Sequence, residues 1–278
     1  MPTIAYLGPE HTNTHVAAQK KFGRRAKYVH APTVDDVFQF VEREQVNFGV
    51  VPVENSLEGA VTHTLDRFID FKQTPVNIVG EVEYRIQHYL ITRPDMPPSK
   101  VEVVCSHPQA LAQCRRWIET HFPHRVRLAE TSSTAEAVKA VVEAVPGFVP
   151  TVAAIGRQEA AKEWGLKATP IPEERENKTR FLVLGLGKPP RHRHNKTALL
   201  FALKDRPGAL YDALAPFKQA RINLTKIESR PSKRKAWEYY FFIDLEGHDT
   251  EPRVKRALAA LEGSTSLLRV LGSYPMTR

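Results

Sequence analysis

The stretch Asn177-Lys178-Thr179-Arg180-Phe181 sets an alcohol, a guanidinium and an aromatic ring side by side, leading into the apolar strand pattern that runs on to Leu186. A strand sends alternate side chains to opposite faces, so Thr179 and Phe181 are expected on one face and Lys178 and Arg180 on the other. A short hydroxyl donor beside a planar cation suits a small carboxylate-bearing substrate that gains or loses an oxygen. A strand-edge Thr is also an ordinary structural residue. Three more polar groups at strand ends keep it company. Gly8-Pro9-Glu10-His11-Thr12-Asn13-Thr14-His15 follows the strand Ile4–Leu7, Glu54-Asn55-Ser56-Leu57-Glu58-Gly59 follows Phe48–Val53, and Ser106-His107-Pro108-Gln109 follows Val101–Cys105. Ligands of open α/β sheets gather beyond the carboxyl ends of strands, where helix N-termini offer free N–H groups. Each group also reads as a plain helix cap or turn. His15, His63 and His107 have no carboxylate or histidine at ligand spacing on the same helix face, so no metal site is expected.

Elements of two periods must position these groups. Besides the three strands above, apolar runs at Val76–Val82, Val152–Ile155 and Phe181–Leu186 read as strands. Helical spacing recurs at Val34, Val37, Phe38 and Val41 after the cap candidate Thr33. It recurs at Leu111, Cys114, Trp117 and Ile118 after Pro108, and at Val138, Val141, Val142 and Val145 after Ser132 to Thr134. The alternation predicts an α/β fold with largely parallel sheets, and a break after Thr74-Pro75 fits two lobes around a cleft.

Lys188 to Lys196, with two prolines and a run of charge, reads as a linker. Beyond it the order is strand (Thr197–Leu203), helix (Pro207–Gln219), strand (Leu224–Ser229), strand (Ala236–Leu245), helix (Thr250–Leu261) and strand (Leu267–Tyr274). This βαββαβ order is the ferredoxin-like arrangement. Here Asp205-Arg206-Pro207-Gly208-Ala209-Leu210 offers a small-residue turn, and Glu228-Ser229-Arg230-Pro231 offers an acid and a base that together suit the ammonium and carboxylate of an amino acid. An ordinary turn with a surface ion pair is the plain alternative.

The 278 residues carry a formal charge of +9. Residues 1–187 balance 22 basic against 22 acidic side chains, so the excess lies in the linker and in the C-terminal part, where a loop from Arg230 to Lys235 is basic. With no basic helix and no helix-turn-helix pattern, nucleic acid is not an expected partner. No apolar run is long enough for a membrane span, and the N-terminus lacks a signal-peptide pattern, which points to the cytoplasm. Cys105 and Cys114 read as two reduced thiols rather than a disulfide framework or a metal knuckle.

Taken in order and spacing, these motifs resemble the prephenate dehydratases that end in an ACT regulatory domain. The resemblance spans the chain, from Gly8-Pro9 through Glu54-Asn55-Ser56, Ser106-His107-Pro108-Gln109 and Thr179-Arg180-Phe181 to Gly208-Ala209-Leu210 and Glu228-Ser229-Arg230-Pro231. It implies a catalytic domain over residues 1–187, of periplasmic-binding-protein type II with two lobes around a cleft. A linker at 188–196 and an ACT domain at 197–278 complete it. It implies decarboxylative dehydration of prephenate to phenylpyruvate without a cofactor, feedback by L-phenylalanine, and a homodimer or homotetramer. The family's fusions to chorismate mutase carry a helical domain ahead of the first strand; here that strand comes first, so a monofunctional enzyme is expected.

Residue by residue, the resemblance makes Thr179 and Asn55 catalytic. It gives substrate contacts to Thr12, Ser56, Ser106, Gln109, Arg180 and Phe181, and effector contacts to Gly208, Ala209, Leu210, Asn223, Leu224, Glu228, Ser229 and Arg230. An alcohol is too weak an acid to serve as a conventional general acid near neutrality, so Thr179 is expected to donate a hydrogen bond to the leaving oxygen or to act in a relay. The first loop departs from the family pattern: His11 stands in a Gly place and Asn13 in an aromatic place, while Thr12 and Thr14 keep it. The alternatives are the same chemistry on arogenate and a non-catalytic amino-acid sensor.

Overall fold

Local sequence signals start most of the helices. Thr33 and Asp36 cap the second helix reciprocally. Thr33 Oγ1 accepts the Asp36 N–H and Asp36 Oδ2 accepts the Thr33 N–H, both at 3.1 Å, and Val34, Val37, Phe38 and Val41 form its buried stripe. Pro108 opens the fourth helix and Ser133 caps the fifth, its Oγ accepting the Glu136 N–H at 3.1 Å.

The computed structural model describes residues 1–70, 74–122, 125–144, 151–172, 176–232 and 238–277. In chain order the elements are β1 (Thr3–Leu7), α1 (Asn13–Phe22), β2 (Lys27–Ala31), α2 (Val34–Glu42), β3 (Phe48–Asn55), β4 (Gly59–Ala60), α3 (Thr62–Asp70) and β5 (Asn77–Arg85). Next come β6 (Tyr89–Thr92), β7 (Val103–Ser106), α4 (Pro108–His121), β8 (Arg127–Glu130), α5 (Thr134–Glu143), β9 (Val152–Gly156), α6 (Gln158–Glu163) and β10 (Lys167–Pro170). The chain ends with β11 (Lys178–Gly185), β12 (Asn195–Leu203), α7 (Ala209–Gln219), β13 (Leu224–Pro231), β14 (Tyr239–Glu246), α8 (Pro252–Ser264) and β15 (Thr265–Pro275). The expected helical position Val145, the residues Lys233 to Lys235 of the basic loop, and the expected strand start at Ala236 lie outside the described residues.

Two compact units result. The first gathers residues 1–6, 17–83 and 179–278; the second gathers 7–16 and 84–178. The first unit holds a sheet of order β2-β1-β3-β11-β5, with β4 attached to β3, and a four-stranded sheet of order β13-β14-β12-β15. The latter carries α7 and α8 against one face, with Phe201, Phe217, Leu245 and Leu261 in the shared core; it is the expected ferredoxin-like module. The strand β12 is buried from Asn195 through Ala202, so both of its faces are covered. Gly272 of β15 lies so close to β5 that a Cβ there would sit 2.0 Å from the Ile78 carbonyl oxygen. The second unit holds a sheet of order β10-β6-β9-β7-β8 with the core around Leu111, Cys114, Ile118 and Ile155. Both cysteines are free, buried thiols.

Three expectations are corrected. Both larger sheets are mixed rather than largely parallel: β1 pairs β3 in parallel, while β11 enters antiparallel beside β3. In the second unit, β7 pairs β8 and β9 in parallel, and β6 and β10 are antiparallel. The linker is shorter than 188–196, because Asn195 and Lys196 already belong to β12, where Lys196 finds a buried carboxylate partner. The strands β2, β4, β6, β8 and β10 have no counterpart in the sequence reading. β2, β8 and β10 are short, polar sheet edges that carry no long apolar alternation, β4 is two residues long, and β6 is a largely buried run of only four.

Candidate active site

In the first unit, β3 and β11 run antiparallel with Thr179 opposite Asn55 and Arg180 opposite Glu54. The register then shifts, so that Phe181 faces Pro52 and Val53 is the extra residue of a bulge. This places Asn55 and Thr179 on one rung. Asn55 Nδ2 donates to Thr179 Oγ1 at 2.9 Å, with both side chains buried. The amide orientation is fixed, because Asn55 Oδ1 accepts the Leu57 and Glu58 N–H groups at 2.9 and 3.1 Å. Thr179 therefore receives a hydrogen bond on its oxygen, and its own proton has no acceptor among the described residues. An amide N–H on a hydroxyl oxygen draws electron density from the O–H and strengthens it as a donor. Ser56, next in the chain, is exposed on the turn that Asn55 pins.

Arg180 points the other way. Nη1 donates to Asp244 Oδ2 at 2.6 Å and to Glu81 Oε2 at 3.2 Å, and Nη2 donates to Glu54 Oε2 at 2.9 Å. Lys196 Nζ adds bonds to both Glu81 oxygens at 3.0 and 2.9 Å, and Lys226 Nζ stands 3.4 Å from Glu54 Oε2. Burial opposes the Arg180 charge, but Asp244, Tyr274 and Glu81 outweigh it and raise its pKa. Burial likewise opposes the Glu54 carboxylate, yet Lys226 and Arg180 hold its pKa below the usual range. The carboxylate-binding role expected for Arg180 is thus corrected: strand alternation turns the guanidinium away from Thr179 and commits it to three acids. Phe181 is corrected in the same sense. Its ring is fully buried in the core and presents no surface to a ligand.

In the second unit the first loop is held by its own side chains. Thr12 Oγ1 donates toward the Leu7 and Pro9 carbonyls at 3.2 and 3.0 Å and accepts the His15 N–H at 3.3 Å, capping α1. His11 adopts the left-handed region at φ 63° and pairs with Glu163 through Nε2. Its N–H donates to His15 Nδ1 at 3.0 Å, and burial lowers the His15 pKa. Asn13 Oδ1 accepts Arg157 Nη1 at 2.6 Å. Ser106 is fully buried, its hydroxyl donating to the Ile155 carbonyl at 2.7 Å. Gln109 is exposed at the start of α4, its N–H bonded to His107 Nδ1 at 3.3 Å. The hydroxyls of Thr12 and Ser106, both expected substrate contacts, serve backbone partners here.

The sequence matches the family described as prephenate dehydratase over residues 4–189, and the ACT domain over residues 197–263. The chain belongs to the prephenate dehydratase family. A bifunctional chorismate mutase/prephenate dehydratase of Aquifex aeolicus is 46% identical over 98% of this chain and 73% of its own length. A prephenate dehydratase of Methanocaldococcus jannaschii is 41% identical over 90% of this chain and 88% of its own. Among solved structures, a prephenate dehydratase from Arthrobacter aurescens in complex with L-Phe superposes with a TM-score of 0.88 at 33% identity, covering 99% of this chain and 90% of that one.

Within the ACT module, Gly208 has φ 78° and is exposed, with open space around it, as a close backbone approach requires. Ala209 and Leu210 open α7. Asn223 is exposed, Leu224 starts β13, and Glu228 and Ser229 lie on opposite faces of that strand. Arg230, another expected effector contact, uses Nε and Nη2 to grip both oxygens of Asp66 on α3 at 3.0 and 3.2 Å. The reading of the sequence missed Glu81, Asp244, Lys196 and Lys226. The signal was faint: a buried charge demands a partner, but Glu81 and Asp244 lie in strands that also carry Glu83, Arg85 and Glu246, so the sequence does not mark which charge is buried.

Proposed function

We propose that the chain converts prephenate to phenylpyruvate, with Thr179 as the hydrogen-bond donor to the departing ring hydroxyl. The bond from the ring to its carboxylate breaks, carbon dioxide leaves, and the electron pair moves through the ring as it becomes aromatic. The ring C–O bond breaks at the far end, and the departing hydroxide takes one proton to leave as water. The donor is needed where negative charge develops on that oxygen. The observation that carries this reading is the pinned Asn55 amide, which fills the Thr179 oxygen and leaves its proton directed elsewhere. Ser56 and Gln109, exposed near strand ends, support the reading as contacts that orient the substrate.

The test is turnover of prephenate and of arogenate by the same preparation, with and without a chelator. Phenylpyruvate formation that survives the chelator is expected. Loss of activity restored by zinc or magnesium would overturn the metal-free reading, and preferential arogenate turnover would reassign the substrate.

L-Phenylalanine is the effector in this reading, taken by the segments at Gly208–Leu210 and Asn223–Ser229, with the L-Phe complex of the Arthrobacter relative in support. A homodimer or homotetramer pairing through the ACT module fits the exposed Tyr211, Ile227 and Tyr239 and the edge position of β13. A cytoplasmic setting fits the two free thiols.

A further inference from the structure

The Thr179–Asn55 rung and the Arg180–Glu54 rung are neighbours on the same two strands, facing opposite ways. The second rung is gripped from the ACT module at both ends. Asp244 of β14 holds Arg180 at 2.6 Å, and Lys226 of β13 stands beside Glu54. Lys226 lies directly opposite Asp244 in the β13–β14 register, and the step from Leu224 to Lys226 contains a bulge. Bulges re-aim side chains and mark places where a strand is built to bend. The contacts of this cluster are unequal. Arg180 and Lys196 form well-aligned bonds, whereas Lys226 Nζ is an ion pair at 3.4 Å without a well-formed hydrogen bond. A cavity of about 20 Å³, room for about one water, borders Arg180, Lys226 and Asp244. Lys226 is therefore the member with space to shift, and it sits between the expected effector residues Leu224 and Glu228.

We infer that Arg180 is a positioning residue, and that Lys226–Glu54 is the contact through which the effector strand β13 biases the catalytic rung. The inference rests on the reading of the chain as a phenylalanine-regulated prephenate dehydratase. Movement of β13 at its bulge draws Lys226 along, Glu54 follows, and Asn55, the next residue, changes its reach to Thr179. A misplacement of about 1 Å at a reacting group costs on the order of 100-fold in rate, so a small shift suffices.

The experiment compares wild type, Lys226→Met, Lys226→Arg and Arg180→Lys as full chains. Prephenate kinetics are measured with and without phenylalanine, and phenylalanine binding by calorimetry. Wild type sets the frame: its prephenate KM is expected to rise roughly 5- to 150-fold with effector. A wild type that turns over prephenate but ignores phenylalanine removes the regulatory reading and the inference with it, before any variant is compared. Lys226→Met is expected to bind phenylalanine within about 3-fold of wild type while its KM ratio falls below about 2, and Lys226→Arg is expected to restore the response. A full response in Lys226→Met overturns the inference, as does loss of phenylalanine binding, which would place Lys226 in the effector site. In Lys226→Met, Glu54 is half-exposed and keeps its bond to Arg180, so the chain is expected to fold, which thermal unfolding of the variant checks. Arg180→Lys is expected to lower kcat about 10- to 100-fold with KM within about 3-fold. A KM raised more than about 10-fold at unchanged kcat would make Arg180 a substrate ligand and overturn its positioning role, as would unchanged kinetics. If Arg180→Lys does not fold, the Lys226 pair decides alone.

Discussion

Thr179 is the residue proposed as donor to the departing hydroxyl, and its environment dictates what substitution does. Thr179→Val keeps the shape and removes the donor, so kcat is expected to fall on the order of 10²–10⁴ with KM within a small factor, followed as phenylpyruvate absorbance. An unchanged kcat would move the donor role elsewhere. Asn55→Asp offers a second reading of the same pair. A carboxylate accepts where the amide donates, so the Thr179 proton turns inward and kcat drops by about 10² or more. His11 is a case of the opposite kind, a departure from the family pattern that the chain has accommodated. It holds a left-handed backbone at φ 63° and sets Nε2 against the Glu163 carboxylate. His11→Gly relieves the backbone while losing the pair, whereas His11→Ala keeps the strain and loses the pair. Thermal unfolding should therefore rank His11→Ala below His11→Gly by about 1 kcal/mol. Equal stabilities would show that the left-handed conformation costs nothing here.

Elements were legible where a single face is buried and a cap is written in the chain. Thr33, Pro108 and the run Ser132 to Thr134 announced their helices, and the stripes of Val34 or Leu111 gave the buried side. The ferredoxin-like order was legible for the same reason, through two amphipathic helices between apolar strands. The Thr179 face was legible from alternation alone. Sheet direction was not, because the partner of β11 is fixed by contacts more than a hundred residues away, such as Thr179 with Asn55. The commitment of Arg180 to carboxylates was not legible either, since nothing near it in sequence names Glu81 or Asp244. Close approach of backbones is equally silent until two strands meet. Gly272 is the example: a methyl group there would strike the Ile78 carbonyl at 2.0 Å, and a backbone atom cannot step aside. Gly272→Ala is expected to lower stability by about 1–3 kcal/mol or more, read by denaturant unfolding. An unaltered midpoint would mean that β15 and β5 part easily.

At the scale of the whole molecule, the ACT module is built into its unit rather than tethered to it. Glu81 is fully buried, and its partners Lys196 and the Thr277 N–H come from the C-terminal module. A chain ending at Leu186 leaves Glu81 and Arg180 without Lys196, Thr277 and Asp244, and breaking a buried ion pair costs about 3–5 kcal/mol. Such a chain is expected to be insoluble or to melt well below the full protein. A soluble fragment with the full protein's melting temperature would show independent folding of residues 1–186. The order of assembly during synthesis follows from the position of β11, which lies between β3 and β5 although more than ninety residues separate it from β5. The ribosome releases about 5–20 residues each second, so β1 and β3 wait on the order of 10 s or longer for their sheet to be completed. Residues 84–178 are all outside the tunnel sooner. Proteolysis of stalled nascent chains should find that segment protected while residues 17–83 are still cut, and the unfinished sheet is the stretch of this chain with most need of a chaperone.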